Sequence, residues 1–331
     1  MIRPFEALAQ AGAKPVHLEH ALRAWLDGRG LAAHAEPDRR PMPATAREHL
    51  PRIEVELERL ARIAEATDAE DGTRRLLVEL ADGRRVESVL LPGDGLCVST
   101  QVGCAVGCTF CATGTLGLVR NLSVEEILAQ VVLARRERAV RRVVFMGMGE
   151  PAHNLESVLE AIRLLGLFGK IGHKELVFST VGDPQVFARL LAAPVRPGLA
   201  LSLHTTDAGL RERLLPRAPR VEPRVLLEAA LDYADASGHP LQLQWTLLAG
   251  LNDTDEELER LAAWCRGRRV VVDFIELNPV EHADFERADP DRTHTLTRSL
   301  HGSGILAKLR RSAGQEARAG CGQLVAEGST R

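Results

Sequence analysis

No apolar run in this 331-residue chain approaches the ~18 residues that a membrane-spanning helix needs, so a membrane protein is not expected. The first residues, Met1-Ile2-Arg3-Pro4-Phe5-Glu6, lack the apolar stretch of a secretory signal, which makes the cytoplasm the expected compartment. An excess of one charge is also missing. Lys and Arg number 42 against 45 Asp and Glu, a net −3, which argues against a generic polyanion-coating protein. Internal repeats and low-complexity stretches are absent. What remains is an ordinary globular balance, 45% apolar and 26% charged. The chain is long enough to bury a full core and, at ~150 residues per domain, to form about two domains. A cytoplasmic enzyme is the default expectation.

Basic residues still cluster locally. Leu133–Arg142 contains Arg135, Arg136, Arg138, Arg141 and Arg142, which read either as a solvated helix face or as an RNA contact. Cysteines are few: Cys97, Cys104, Cys108, Cys111, Cys265 and Cys321. A cytosolic chain of this size does not need disulfides. Four of the six crowd between Cys97 and Cys111, which points to metal or redox chemistry. Cys265 lies on a helical segment outside any motif and reads as structural.

Residues 1–71 read as a small helical accessory region, with helical spacing at Leu18–Leu26 and Glu54–Ala64 and a Pro/Arg-rich link at Glu36–Pro43. Residues 72–94 read as a β-hairpin, in which Arg75–Leu80 and Arg85–Leu91 flank the turn signal Asp82-Gly83. From residue 95 to 331 strands and helices alternate. Strands are expected at Gly95–Thr100, Arg142–Met146, Glu175–Ser179, Gly198–Leu203, Leu241–Leu248 and Arg269–Ile275. Amphipathic helices are expected at Val124–Ala139, Leu155–Leu167, Pro184–Ala192, Val225–Ala236 and Asp255–Arg266. Ser123 with Glu126, and Thr254 with Glu257, have capping-box spacing. Short apolar strands separated by helices imply an α/β fold with a parallel sheet buried on both faces, and six units suit a partial, TIM-like (β/α)6 barrel. In such folds chemistry gathers at the carboxyl ends of the strands.

Cys104, Cys108 and Cys111 form a C-x3-C-x2-C array on a loop with Gly103 and Gly107. Three thiolates this close suit one metal centre. Structural zinc would want a fourth ligand, and none stands nearby at finger-like spacing. On a four-iron cluster, three cysteines leave one iron open.

This array resembles that of the radical S-adenosylmethionine (SAM) superfamily, in which the open iron chelates SAM. The flanking segments narrow the resemblance to the RlmN/Cfr-type RNA adenine methyltransferases. They are Cys97-Val98-Ser99-Thr100-Gln101-Val102-Gly103-Cys104, Arg120-Asn121-Leu122, Gly147-Met148-Gly149-Glu150-Pro151, Ser202-Leu203-His204 and Gly320-Cys321-Gly322-Gln323-Leu324. They cover roughly residues 72–326, about three quarters of the chain. The resemblance implies a radical SAM barrel in which Cys104, Cys108 and Cys111 hold one [4Fe-4S] cluster. Gly149, Glu150, Ser179, Ser202, Leu203, His204 and Asn278 would bind SAM, two molecules of which are used per turnover. Cys321 would be methylated and then carry the methylene that adds to an adenine ring carbon. Glu87 would accept the proton from that carbon, and Cys97 would resolve the adduct through a transient disulfide with Cys321. Ribosomal or transfer RNA would be the substrate and a flavodoxin-type protein the electron donor. Carbon 2 of the adenine is preferred over carbon 8.

The chemistry is sound on its own terms. Carbons 2 and 8 of adenine are electron-poor, so radical addition succeeds where polar methyl transfer lacks a nucleophile. Release of a thioether-linked base needs a second thiolate within reach, which gives Cys97 a purpose. Each residue also has a plainer reading. Cys97 and Cys321 could be buried core thiols, Glu87 an exposed strand carboxylate, His204 a strand cap and Gly149-Glu150 a turn. Two other functions compete: a radical SAM enzyme on a non-RNA substrate, and an inert iron–sulfur RNA-binding protein. Leu277-Asn278-Pro279-Val280 lacks the family's aromatic flank, and the N-terminal region resembles the family's accessory module only faintly. No obvious interface stripe is present, so a monomer is expected.

Overall fold

The computed structural model describes residues 2–31, 41–280, 284–310 and 313–326. Residues 36–40 of the expected link at Glu36–Pro43 lie outside the described residues.

Ten strands form one sheet in the order β1-β2-β3-β4-β7-β8-β9-β10-β11-β12. They are β1 (Ala61–Asp68), β2 (Arg74–Leu80), β3 (Arg85–Leu91), β4 (Gly95–Val98), β7 (Arg142–Phe145), β8 (Leu176–Thr180), β9 (Gly198–Ser202), β10 (Leu241–Leu247), β11 (Val270–Glu276) and β12 (Leu306–Arg310). Strands β1 to β4 pair antiparallel, and every pair from β4 onward is parallel. The six strands expected from the sequence are β4 and β7 to β11. Each is followed by a helix: Val124–Glu137, Leu155–Leu167, Pro184–Ala192, Pro223–Ser237, Asp255–Cys265 and Pro290–Gly302. The six β/α units then end on β12, an edge strand that the sequence reading did not anticipate.

The central strands of the parallel sheet are covered on both faces and are mostly apolar. Phe145, Phe178, Trp245 and Phe274, one each on β7, β8, β10 and β11, are among the largest fully buried side chains. Each contributes ~1.5–3 kcal/mol by leaving water. One apolar cluster extends from Ile2 to Ala326 and ties the N-terminal helices to the barrel.

Two local readings need correction. Glu54–Ala64 is not one helix: the helix Leu50–Glu58 stops, and β1 begins at Ala61. Ile53 and Leu57 have true helical spacing, and Leu60 and Ile63 prolong that pattern in sequence while pairing with β2 overrides it in space. The Ser123 box forms fully, with Glu126 N–H donating to Ser123 Oγ at 3.2 Å and Ser123 N–H to Glu126 Oε2 at 2.8 Å. The Thr254 box forms by half. Thr254 Oγ1 accepts from Glu257 N–H at 3.3 Å, but the Glu257 carboxylate turns to Thr205 and Thr206 beyond β9, accepting from both hydroxyls and from Thr206 N–H.

Candidate active site

The cysteine loop hangs from the end of β4. It starts in a two-stranded ribbon of β5 (Gln101–Gly103) and β6 (Leu118–Asn121), where Cys104 N–H donates to Gly117 O at 3.0 Å. Gly103 has φ +77°, and a Cβ there would lie 1.9 Å from the Gly117 carbonyl oxygen. Only glycine lets the ribbon close at this point. The far side of the loop rests on residues 214–217: Thr109 N–H donates to Leu214 O at 3.0 Å and Arg217 N–H to Val106 O at 3.2 Å.

Above the loop lies the C-terminal segment, residues 313–326. Gly322 O accepts from Ala112 N–H at 2.7 Å, Leu324 O from Thr113 Oγ1 at 2.6 Å and Cys321 O from Asn278 Nδ2 at 2.9 Å. These bonds place Cys321 on a cavity of about 330 Å3, whose wall also contains Cys97, Cys108, Cys111, Ser202, His204 and Asn278. That volume lies in the small-molecule range.

Burial pushes the Cys104 thiol up to about 12 and raises Cys108 and Cys111 as well, each further raised by a cysteine neighbour. Bare thiols so placed stay neutral, whereas bound iron would stabilise their thiolates. Among the described residues no three Cys, His, Asp or Glu side chains converge on one ion position. Three soft thiolate donors on one short loop are the donor type that an iron–sulfur cluster takes.

The remaining expected SAM residues divide in two. Ser202, His204 and Asn278 face the cavity; Gly149, Glu150, Ser179 and Leu203 do not line it. The Glu150 carboxylate is spent on backbone, accepting from Ala152 N–H and Val181 N–H at 3.0 Å each. Burial raises its pKa and these bonds oppose the rise. Gly149, at φ +101°, leaves no room for a Cβ against Gln101. Leu203 is fully buried in the core. Ser179 sits one strand away from Ser202, and both hydroxyls donate at 3.2 Å to Gln244 Oε1 on β10.

His204 occupies the left-handed region, φ +63°, where non-glycine residues are rare. Its Nδ1 accepts from Thr246 N–H at 3.0 Å, which assigns the ring proton to Nε2. Burial, with the Arg211 charge adding, pushes His204 down to about 3, so the ring is a neutral donor. Phe110 packs edge-on against it at 4.9 Å. Arg211, itself buried, donates to Val181 O, the carbonyl of the residue whose N–H Glu150 accepts.

Glu87 is buried, not the exposed strand carboxylate of the plainer reading, and it does not line the cavity. Its carboxylate pairs with Arg75 at 3.1 Å and accepts from Val325 N–H at 3.0 Å, four residues beyond Cys321. Burial pushes the Cys97 thiol up to about 12; the neighbouring Cys321 adds to this and Arg310 opposes it. Cys265 is buried away from the cavity, as expected.

The arginine cluster serves structure at two positions. Arg135 donates to the carbonyls of Leu26, Val140 and Gly169, and Arg138 to those of Gly72 and Leu91. Neither is a plain solvated face. Sequence reasoning missed Gln244, Phe110, Thr246 and Arg310, all of which line the cavity. Gln244 had a signal: a polar residue alternating through the apolar run Leu241-Gln242-Leu243-Gln244-Trp245.

Residues 98–265 match the family model of the radical SAM superfamily. A protein named "Probable RNA methyltransferase" from Chromobacterium violaceum is 56% identical over 323 residues, 97% of this chain and 92% of that one. A protein named "Probable RNA methyltransferase AZOSEA28700" from Aromatoleum aromaticum is 57% identical over 323 residues, 97% of this chain and 90% of that one. Among solved structures, a radical SAM methyltransferase from Sphaerobacter thermophilus aligns with a TM-score of 0.83 at 33% identity, covering 97% of this chain and 96% of that one. With three clustered cysteines at the mouth of a partial barrel and relatives that match it nearly end to end, the chain belongs to the radical SAM superfamily.

Proposed function

We propose that this chain is a radical SAM RNA methyltransferase that methylates an adenine ring carbon, carbon 2 in preference to carbon 8, in ribosomal or transfer RNA. The observation that carries the reading is the meeting of Cys97 and Cys321, from β4 and the C-terminal segment, on one cavity wall with Cys108 and Cys111. Core thiols have no reason to gather there. The names of the near-full-length relatives support RNA as the substrate.

Cys104, Cys108 and Cys111 hold the cluster in this reading, and bound cluster and SAM supply the methyl group and the one-electron chemistry. Ser202, the His204 Nε2–H donor and Asn278 orient SAM from the opposing strand ends. Gly149, Glu150 and Ser179 act from behind, by shaping the backbone and the Gln244 contact. Asn278 also holds the Cys321 carbonyl, which fixes where the methyl-bearing sulfur points. Cys97, as its thiolate, attacks that sulfur; the sulfur–carbon bond breaks with its electron pair going to the methylene carbon, which takes a proton to become the methyl on the base, and the resulting disulfide is returned to two thiols by an external reductant. Glu87 accepts the ring proton, a role that requires its bond to Val325 N–H to exchange when RNA is bound. A flavodoxin-type protein supplies electrons.

The test is Cys97→Ala, expressed and purified anaerobically. RNA should remain attached through denaturation, and peptide mass after nuclease digestion should place a methylene-linked adenosine on Cys321. Sequencing the attached RNA would name the substrate. Absence of both the adduct and a methyl group on Cys321, with iron retained, would refute the reading.

A further inference from the structure

A second cavity, of about 440 Å3, lies toward the amino ends of the strands, where Gly95, Arg142 and Gln242 line it. It adjoins the catalytic cavity: Leu91, Val144, Met146 and Arg310 belong to both walls. Arg310 is the one Lys or Arg among the described residues of the catalytic wall. It is half-buried, and among the described residues it has no hydrogen-bond or ion-pair partner.

Its surroundings make this unusual. Lys308, two residues earlier on the same strand face, pairs with the buried Asp273 at 3.3 Å. Glu276, in the same wall, pairs with Arg287 at 3.7 Å. Arg75 has Glu87, and the half-buried Arg135 has three carbonyls. A partly desolvated guanidinium without a partner carries a cost that an anionic ligand would offset. The second cavity continues the same character outward, with Lys308 and Arg142 in its wall against the single carboxylate of Asp273.

We propose that Arg310 binds a phosphodiester of the RNA strand beside the reacting adenosine, as the strand passes between Leu91 and Arg310 toward Cys321. The assignment rests on the RNA methyltransferase reading. An adenine that reaches Cys321 brings its own backbone phosphates along the wall, and a planar five-donor guanidinium suits phosphate oxygens. Arg142 then extends the track toward solvent.

The test compares iron-loaded wild type, Arg310→Gln, Arg310→Lys and Arg142→Gln under anaerobic conditions. Binding of a fluorescein-labelled oligoriboadenylate is followed by anisotropy across a potassium chloride series. Intact mass reports methylation of Cys321, and SAM affinity is measured separately. Arg310→Gln should bind the oligonucleotide roughly tenfold more weakly at low salt, with a log–log salt slope shallower by about 0.7, one lost phosphate contact on a single strand. Arg310→Lys should keep the slope, and Arg142→Gln should lose part of it. SAM affinity should be unchanged in the three variants. An unchanged slope in Arg310→Gln would overturn the assignment. So would weaker SAM binding with RNA affinity intact, because the anion would then be the SAM carboxylate. A wild type that holds iron but never methylates Cys321 refutes the parent reading and this one together. A methylated wild type with an unchanged Arg310→Gln slope refutes this one alone.

Discussion

Replacing Gly103 with alanine should disable the cysteine loop before any residue of the chemistry is touched. Two costs add. Alanine at φ +77° pays ~1–2 kcal/mol for the left-handed backbone. Its Cβ would also stand 1.9 Å from the Gly117 carbonyl oxygen, so β5 and β6 must separate. That separation breaks the Cys104 N–H bond to Gly117 O, a further ~1 kcal/mol. A total near 3 kcal/mol is expected. At ~2.1 cal/mol/K per residue, 331 residues have a melting entropy of about 0.7 kcal/mol/K, so Tm should fall by about 4 °C. Gly117→Ala is the control. It has φ +67° and nothing within 4 Å of its Cβ, so it should show the backbone cost alone, roughly half the shift or less. The assay is thermal unfolding by circular dichroism on apo protein, paired with iron content after anaerobic reconstitution. Gly103→Ala should lose most of its iron and Gly117→Ala should keep it. Equal Tm values and equal iron in the two variants would refute the reasoning, because the clash at Gly117 O would then have no consequence.

Gln244→Leu removes the acceptor shared by Ser179 and Ser202, and SAM affinity measured by equilibrium dialysis should weaken about tenfold, with Cys321 oxidation state unaffected. Arg135→Ala leaves three carbonyls without their donor and should cost roughly 3 kcal/mol in chemical denaturation while RNA affinity stays the same. His204 stays neutral in the fold down to about 3, whereas the unfolded chain takes up its proton near 6.5. The unfolded state therefore binds more protons between those values, and stability falls as pH drops through that window. His204→Gln should flatten this part of the stability–pH curve; an unaltered slope would show that His204 does not titrate differently on unfolding. Cys265→Val, outside the site, should leave iron content and Cys321 methylation at wild-type levels.

Much of this architecture is legible in the sequence because its signals are local. Asp82-Gly83 marks the turn between β2 and β3, and the mostly apolar runs of β7 to β11 follow from burial on both faces. Cys104, Cys108 and Cys111 stand out because their spacing falls within one loop. What escaped is set by distance. β1 reads as helix until β2 is there to pair with it. Glu257 looks like a capping residue, and only the fold brings Thr205 and Thr206 to its carboxylate. Arg310 carries no motif at all; its interest lies in the absence of a partner within a wall that the chain builds from several strands. Glu87 shows the converse, a residue named by resemblance whose carboxylate in space ties down the C-terminal segment.

That segment has a bearing on how the enzyme is made. Its seams join residues more than 200 positions apart: Thr113 with Leu324, Glu87 with Val325, Asp71 with Gly314. During synthesis the cysteine loop leaves the ribosome long before the stretch that covers it. For that interval the three cysteines stand without Cys321 overhead. Once residues 313–326 emerge, the bonds to Ala112 and Thr113 close over the loop, and the same event brings the second thiol to Cys97. The order of translation thus presents the cysteine loop before Cys321 can be brought beside Cys97.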